Sequence, residues 1–166
     1  MAAIVALPKV QVVLQGGGAR LCLLMAVCDV LKRLNGKEIE ITRVAGVSAG
    51  AIAAVMLAAP DSMETFRERV KRIGGDHLKK FKTSSVLGAW RVASGEAYFN
   101  KITLIDIFEQ LFCRDSKLRF LHHLANPSVQ VYFTDLYSLK SRPTTSDEAI
   151  PLALAQSCNL DRKSVV

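Results

Sequence analysis

An α/β fold built on a mostly parallel sheet is what this sequence predicts. Three observations carry the prediction. Two short β-like runs, residues 10–14 and 39–44, are each followed by a helix-like segment. A glycine cluster stands at each strand-to-helix junction, Gly16-Gly17-Gly18 and then Gly46-Val47-Ser48-Ala49-Gly50. Strand, helix, strand, helix is a βαβ unit, and its strands run parallel.

The elements follow in order. Val10-Gln11-Val12-Val13-Leu14 is short and β-branched, bounded by Pro8 and the glycines, and reads as a buried strand. Residues 19–34 form a helix whose apolar positions, among them Leu21, Leu24, Val27 and Leu31, cover most of the circumference, so it is expected to be well buried. Lys32 and Arg33 suit its C-terminal dipole end, and Asn35-Gly36 stops it. Residues 39–44 alternate as a second strand. Residues 48–59 are alanine-rich, close at Pro60, and read as a second helix able to pack tightly on a sheet. Residues 61–73 are amphipathic, with Met63, Phe66, Val70 and Ile73 on one face. Asp61 and Glu64 form the start of a cap, and Arg67, Arg69, Lys71 and Arg72 make a solvated basic face that Lys79, Lys80 and Lys82 continue. Residues 83–98 read as a loop or cap region. A short helix over 104–112, a third strand over 129–133, a turn-rich connection over 143–146 and a helix over 149–157 complete the chain.

Composition bounds the function. A chain of 166 residues suggests one domain with room for a core. Half the residues are apolar and 22% are charged, a globular and not a disordered balance. The net charge of +7 allows anionic lipid, nucleic acid or acidic substrates and does not choose between them. A solvated basic surface is expected, with peripheral membrane contact through it as a second use; nucleic acid is not an expected partner. Residues 1–8 are apolar but too short, and lack the basic start of a secretory signal. No stretch reaches the ~18 uninterrupted apolar residues of a membrane span. Cys22, Cys28, Cys113 and Cys158 form no C-x-x-C pair and read as buried free thiols of a reducing compartment. The expected location is therefore cytoplasmic or peripheral at a membrane surface. His77, His122 and His123 lack ligand spacing, so no metal and no cofactor is expected.

The glycine clusters carry the chemistry. G-x-S-x-G between a strand and a helix is a nucleophile elbow, in which a strained turn projects the serine hydroxyl. Gly46 and Gly50 remove side chains where strand and helix cross, and the helix N-terminus favours developing negative charge. Gly16, Gly17 and Gly18 can turn backbone N–H groups toward an oxyanion, where each preorganised donor is worth ~2.7–4 kcal/mol. Arg20 can hold that loop or pair with a phosphate. A dinucleotide fingerprint on Gly16 and Gly18 fails at Leu21, and no Gly-Lys-Ser/Thr follows for a Walker loop. A general base is not evident. Asp106 or Asp115 followed by His122 would satisfy the order Ser, acid, His. However, His122 and His123 lie between Leu121 and Leu124 and read as partly buried structural histidines, and His77 reads as surface.

The run Val12-Val13-Leu14-Gln15-Gly16-Gly17-Gly18-Ala19-Arg20, followed by Val44-Ala45-Gly46-Val47-Ser48-Ala49-Gly50-Ala51-Ile52, resembles the patatin-like phospholipase family. Weaker similarity continues through 104–112, through the strand ending in Thr134-Asp135-Leu136, and through 149–157. The resemblance implies a three-layer α/β/α fold with a central mostly parallel sheet, incomplete at the C-terminus. It implies a lipid acyl hydrolase of phospholipase A or esterase type with a Ser–Asp dyad, acting on a phospholipid or another acyl lipid. Ser48 would be the nucleophile, Gly17 and Gly18 the main oxyanion donors, and Gly16 and Arg20 would shape the loop. Leu21 departs from the glycine usual in the family after the arginine. The dyad Asp would lie in Asp-Gly-Gly or Asp-Gly-Ala beyond residues 149–160, and these residues contain no Asp-Gly at all. Asp135 and Asp147 come too early and Asp161 precedes Arg162, so no catalytic Asp is assigned and the chain as it stands is expected to be inactive and poorly soluble. A non-catalytic lipid- or protein-binding pseudoenzyme is the alternative, and a nucleotide-binding βαβ domain a weaker one.

Residues 161–166, Asp-Arg-Lys-Ser-Val-Val, turn abruptly polar. They are readable as GAT CGG AAG AGC GTC GTG, one frame of a common short-read sequencing adapter. The expected division is a partial patatin-like domain over 1–160 and a non-native tail over 161–166. Genomic sequencing across codon 160 is therefore expected to give different codons from 161 onward and an Asp-Gly pair downstream; a genomic stop at the same place would rule this out.

Overall fold

The computed structural model of the chain describes residues 6–17, 20–74, 101–135 and 140–158. Four strands, β1 (Lys9–Leu14), β2 (Glu40–Val47), β3 (Ser128–Asp135) and β4 (Lys140–Pro143), form one sheet in the order β1-β2-β3-β4. The first three are parallel, and β4 returns antiparallel on β3. The register Leu14–Gly46–Val131 brings the C-terminal ends of the three parallel strands level, which is where ligands gather in such sheets. The expected α/β class with a mostly parallel sheet is thus present. β4 escaped the sequence reading because Lys-Ser-Arg-Pro has no apolar alternation to signal it.

Helix α1 (Leu21–Leu34) links β1 to β2, and α2 (Ala49–Ala58) follows β2. α2 lies across β1, β2 and β3 and is buried on nearly every side, as its small residues allow. Two expectations about burial need correction. Among the described residues β1 pairs only with β2 at the edge of the sheet, and Val13, on the face away from Leu14, is 80% exposed. α1 packs mainly on α2, and its wide apolar circumference exceeds that contact. Only Cys28 is fully buried, and Leu23, Val27 and Val30 remain exposed.

α3 (Met63–Gly74) begins two residues later than expected, and its cap is Ser62, whose Oγ accepts the Thr65 amide at 3.1 Å. Asp61 does different work. Both of its carboxylate oxygens accept from Arg69 at 3.1 Å. Arg69 therefore does not belong to a solvated basic face: it is buried, lies over the Phe66 ring, and donates to the Leu111 carbonyl at 3.0 Å. That carbonyl belongs to a widened π turn (Glu109–Cys113) that continues α4 (Lys101–Phe108), where a regular helix over 104–112 was expected. Such turns open carbonyls to outside donors. α5 (Ile150–Cys158) packs on α4, α2 and β3. Cys22 is exposed, as are His122 and His123, because the short 3-10 turn Leu121–His123 turns Leu121 and Leu124 inward instead. The loop or cap region expected over 83–98, with Lys79, Lys80, Lys82 and His77, lies outside the described residues. No helix among the described residues is long and apolar enough to cross a membrane.

Removing one partner of a buried, bidentate ion pair strands the other. Arg69→Ala is expected to lower unfolding free energy by about 3 kcal/mol in urea titration. Arg72→Ala, which breaks a surface pair with Asp115 at 2.7 Å, should change it far less, because solvent screens that pair. Equal effects would contradict this assignment.

Candidate active site at the β2–α2 elbow

The two glycine clusters meet in space. β2 ends at Val47, Ser48 turns the chain, and α2 begins at Ala49. Ser48 has φ 54° and ψ −126°, and it is the non-glycine residue with positive φ among the described residues. A serine there is strained, and such strain concentrates at functional sites. Gly46 and Gly50 make the turn sterically possible: a Cβ on Gly46 would overlap the Gly50 carbonyl, and a Cβ on Gly50 would overlap the carbonyl of Leu14 at the end of β1.

The first cluster lies against this elbow. A Cβ built on Gly16 would sit 3.1 Å from the Ser48 Cβ and 3.0 Å from the Val47 oxygen. Gly17 has φ 143°, and its carbonyl accepts the Arg20 amide at 2.7 Å in a tight turn leading into α1. Arg20 is exposed, with its stem beside Gly17. Gly18 lies outside the described residues.

Two side chains that sequence reasoning did not single out also reach Ser48. The Ser48 amide donates to Ser157 Oγ at 2.8 Å, and the thiol of the next residue, Cys158, lies near enough to Ser48 for the serine side chain to act on its pKa. Burial pushes that thiol from its ordinary 9.0 up to about 12, although the Ser48 side chain pulls it the other way. A thiol so raised stays neutral at physiological pH and is no proton acceptor. The signal available in the sequence was only the apolar helix 149–157 ending in two small polar residues, and nothing there fixes their distance to residue 48.

Cys158 also lines an apolar cavity of about 370 Å³ together with Leu21, Ile52, Met56, Ile73 and Leu104. Ser48, Ile52 and Met56 are spaced four apart and share one row of α2, so the cavity starts one turn beyond Ser48 and runs along that helix.

The candidate acids and histidines do not gather here. Asp106 accepts from Gln110 at 3.0 Å, and Asp115 is held by Arg72, which keeps its carboxyl below the usual range. His122 lies 3.4 Å from Asp147 at the N-terminal end of α5. The length of that helix, roughly 12 Å at 1.5 Å per residue, separates the pair from Ser157 and Cys158. Asp135 ends β3, and Asp161 and His77 lie outside the described residues.

Comparison with known proteins adds one match. The family model of the patatin-like phospholipases matches residues 12–160. No curated protein matches the chain.

The raised thiol has a consequence for stability. Above pH 9 the unfolded chain releases the Cys158 proton while the folded chain keeps it, so the unfolded state binds fewer protons and stability falls as pH rises toward 12. The expected slope for this thiol is at most about 1.4 kcal/mol per pH unit. Urea titrations at pH 8.5 and 10.5 should show a smaller loss for Cys158→Ala than for the native chain, and equal losses would count against the buried thiol.

Proposed function

Because the chain belongs to the patatin-like phospholipase family, a family of lipid hydrolases, we propose that it carries the nucleophile half of a serine acyl hydrolase acting on phospholipid or other acyl-lipid esters. The observation that carries the reading is the meeting of three features around Ser48. A strained Ser48, a glycine loop in contact with it, and an apolar cavity beginning one turn away all converge there.

In this reading Ser48 Oγ attacks the ester carbonyl. The N–H groups of Gly17 and Gly18 receive the oxyanion, with Gly16 holding the loop against the elbow and Arg20 bracing it. The N-terminus of α2 adds its partial positive charge. The hydrocarbon chain lies past Cys158 along Ile52 and Met56, an environment that takes methylenes and excludes water. The alcohol leaves, an acyl-enzyme remains on Ser48, and water releases the fatty acid. The step that these 166 residues do not provide is removal of the Ser48 proton. The resemblance assigns it to an Asp of an Asp-Gly pair, and no such pair occurs in the sequence. The 166-residue polypeptide is accordingly proposed to bind acyl chains without turning over esters. The basic surface is proposed to hold the protein peripherally at an anionic lipid surface.

One observation favours a second reading, a non-catalytic lipid-binding module: Asp106, Asp115 and His122, the candidate acids and base, have partners elsewhere, and the titratable group beside Ser48 is the Cys158 thiol, which burial keeps neutral. A long-chain alkyl fluorophosphonate separates the two. Acyl hydrolase chemistry predicts weak labelling of the chain that Ser48→Ala abolishes. Tight palmitate binding with no Ser48-dependent labelling would select the binding module.

A further inference from the structure

The C-terminal end of α5 holds the candidate nucleophile by its backbone amide, and that contact has a consequence for how the elbow works. β2 and β3 are paired up to Val47 and Tyr132, and there the strands part. Just beyond, the Ser157 hydroxyl stands between them. It accepts the Ser48 amide at 2.8 Å and donates to the Tyr132 carbonyl at 2.5 Å. Ser157 is buried and lies 109 residues from Ser48, so this link is made by the fold and not by local chain geometry.

We propose that Ser157 is a positioning residue for Ser48. Its hydroxyl bridges the elbow amide to the end of β3 and so holds residue 48 in its strained conformation. A backbone amide leaving a ladder into a tight turn must find an acceptor or lose a hydrogen bond. Ser157 provides that acceptor and passes the interaction on to Tyr132, and a hydroxyl that both accepts and donates strengthens each bond of such a chain. An alanine at 157 leaves the Ser48 amide and the Tyr132 carbonyl without this partner, and the positive-φ turn loses its tether. The amide of Ser48 is also committed by this bond. A developing oxyanion is then served by the glycine loop and not by the nucleophile's own N–H. This second consequence rests on the reading of Ser48 as the nucleophile.

The test is amide hydrogen exchange at Ser48, resolved by NMR on the full 166-residue chain, with Ser157→Ala and Ser157→Thr. Loss of one hydrogen bond predicts Ser48 exchange about tenfold faster in Ser157→Ala. The amides of Ile41 and Val131 in the sheet should be unchanged, and Ser157→Thr, which keeps the hydroxyl, should restore the native rate. Unchanged Ser48 exchange in Ser157→Ala overturns the proposal. So does faster exchange at Ser48, Ile41 and Val131 alike without rescue by threonine, because that pattern marks a packing role alone. Where Ser157→Ala does not fold, Ser157→Cys substitutes a weaker hydrogen-bonding group of similar size, and a native Ser48 rate in that variant is equally fatal. Ser48-dependent fluorophosphonate labelling of the same chain reads the other premise. A protected Ser48 amide with no labelling overturns the hydrolase reading and leaves the clamp, whereas labelling with an unprotected amide overturns the clamp alone.

Discussion

The close approach of β1, β2 and α2 is the constraint on which the site depends. Gly46, Gly50 and the Leu14 carbonyl occupy a space that no Cβ could share. That contact lets α2 run directly off the end of β2 and lie flat across three strands. It turns Ser48 into a conformation that a serine rarely adopts, and it leaves room for Gly16 beside the Ser48 side chain. A methyl group at either glycine would push α2 off the sheet, and the glycine loop and the cavity would separate from Ser48. The chemistry proposed for this fold is therefore a by-product of backbone packing before it is a matter of side chains.

The opposite end of α2 is tied as firmly. Lys32, near the end of α1, donates to the Ala59 carbonyl at 2.5 Å and to the Asp61 carbonyl at 2.7 Å. An ammonium at a helix C-terminus meets carbonyls that have no intrahelical partner. Burial still presses its pKa down, against the pull of Asp61. Asp61 in turn carries the bidentate pair with Arg69, which reaches the π turn after α4. One polar chain thus connects α1, the end of α2, α3 and the wall of the cavity. It sits well away from the elbow, and this division lets the reactive end keep its strain while the remote end supplies rigidity.

Much of this was legible in the sequence, and the reason is local. Strand, glycine turn and helix are contiguous, so the βαβ unit, the elbow and the place of Ser48 follow from residues 10–59 alone. Relations between distant segments were not legible. Arg69 looked solvated because it shares a helix with Arg67, Lys71 and Arg72, and only the return of the chain at Leu111 and Asp115 buries it. α1 looked buried because its residues are apolar, but apolarity does not create a neighbour to pack on. β4 is polar and is held by its pairing with β3. Ser157 and Cys158 share the same fate: nothing within residues 149–158 announces that the end of this helix touches residue 48.

The pair at the end of α5 also separates what is prearranged from what is chemically poised. Ser157 fixes the amide, so the backbone of Ser48 is held with respect to both glycine loop and cavity. Orientation by itself supplies the entropic part of catalysis. Deprotonation is a separate requirement, and a thiol raised to about 12 in an apolar wall cannot meet it. A carboxylate placed in that wall would be raised by the same burial, which would make it a better base than in water but costly to ionise.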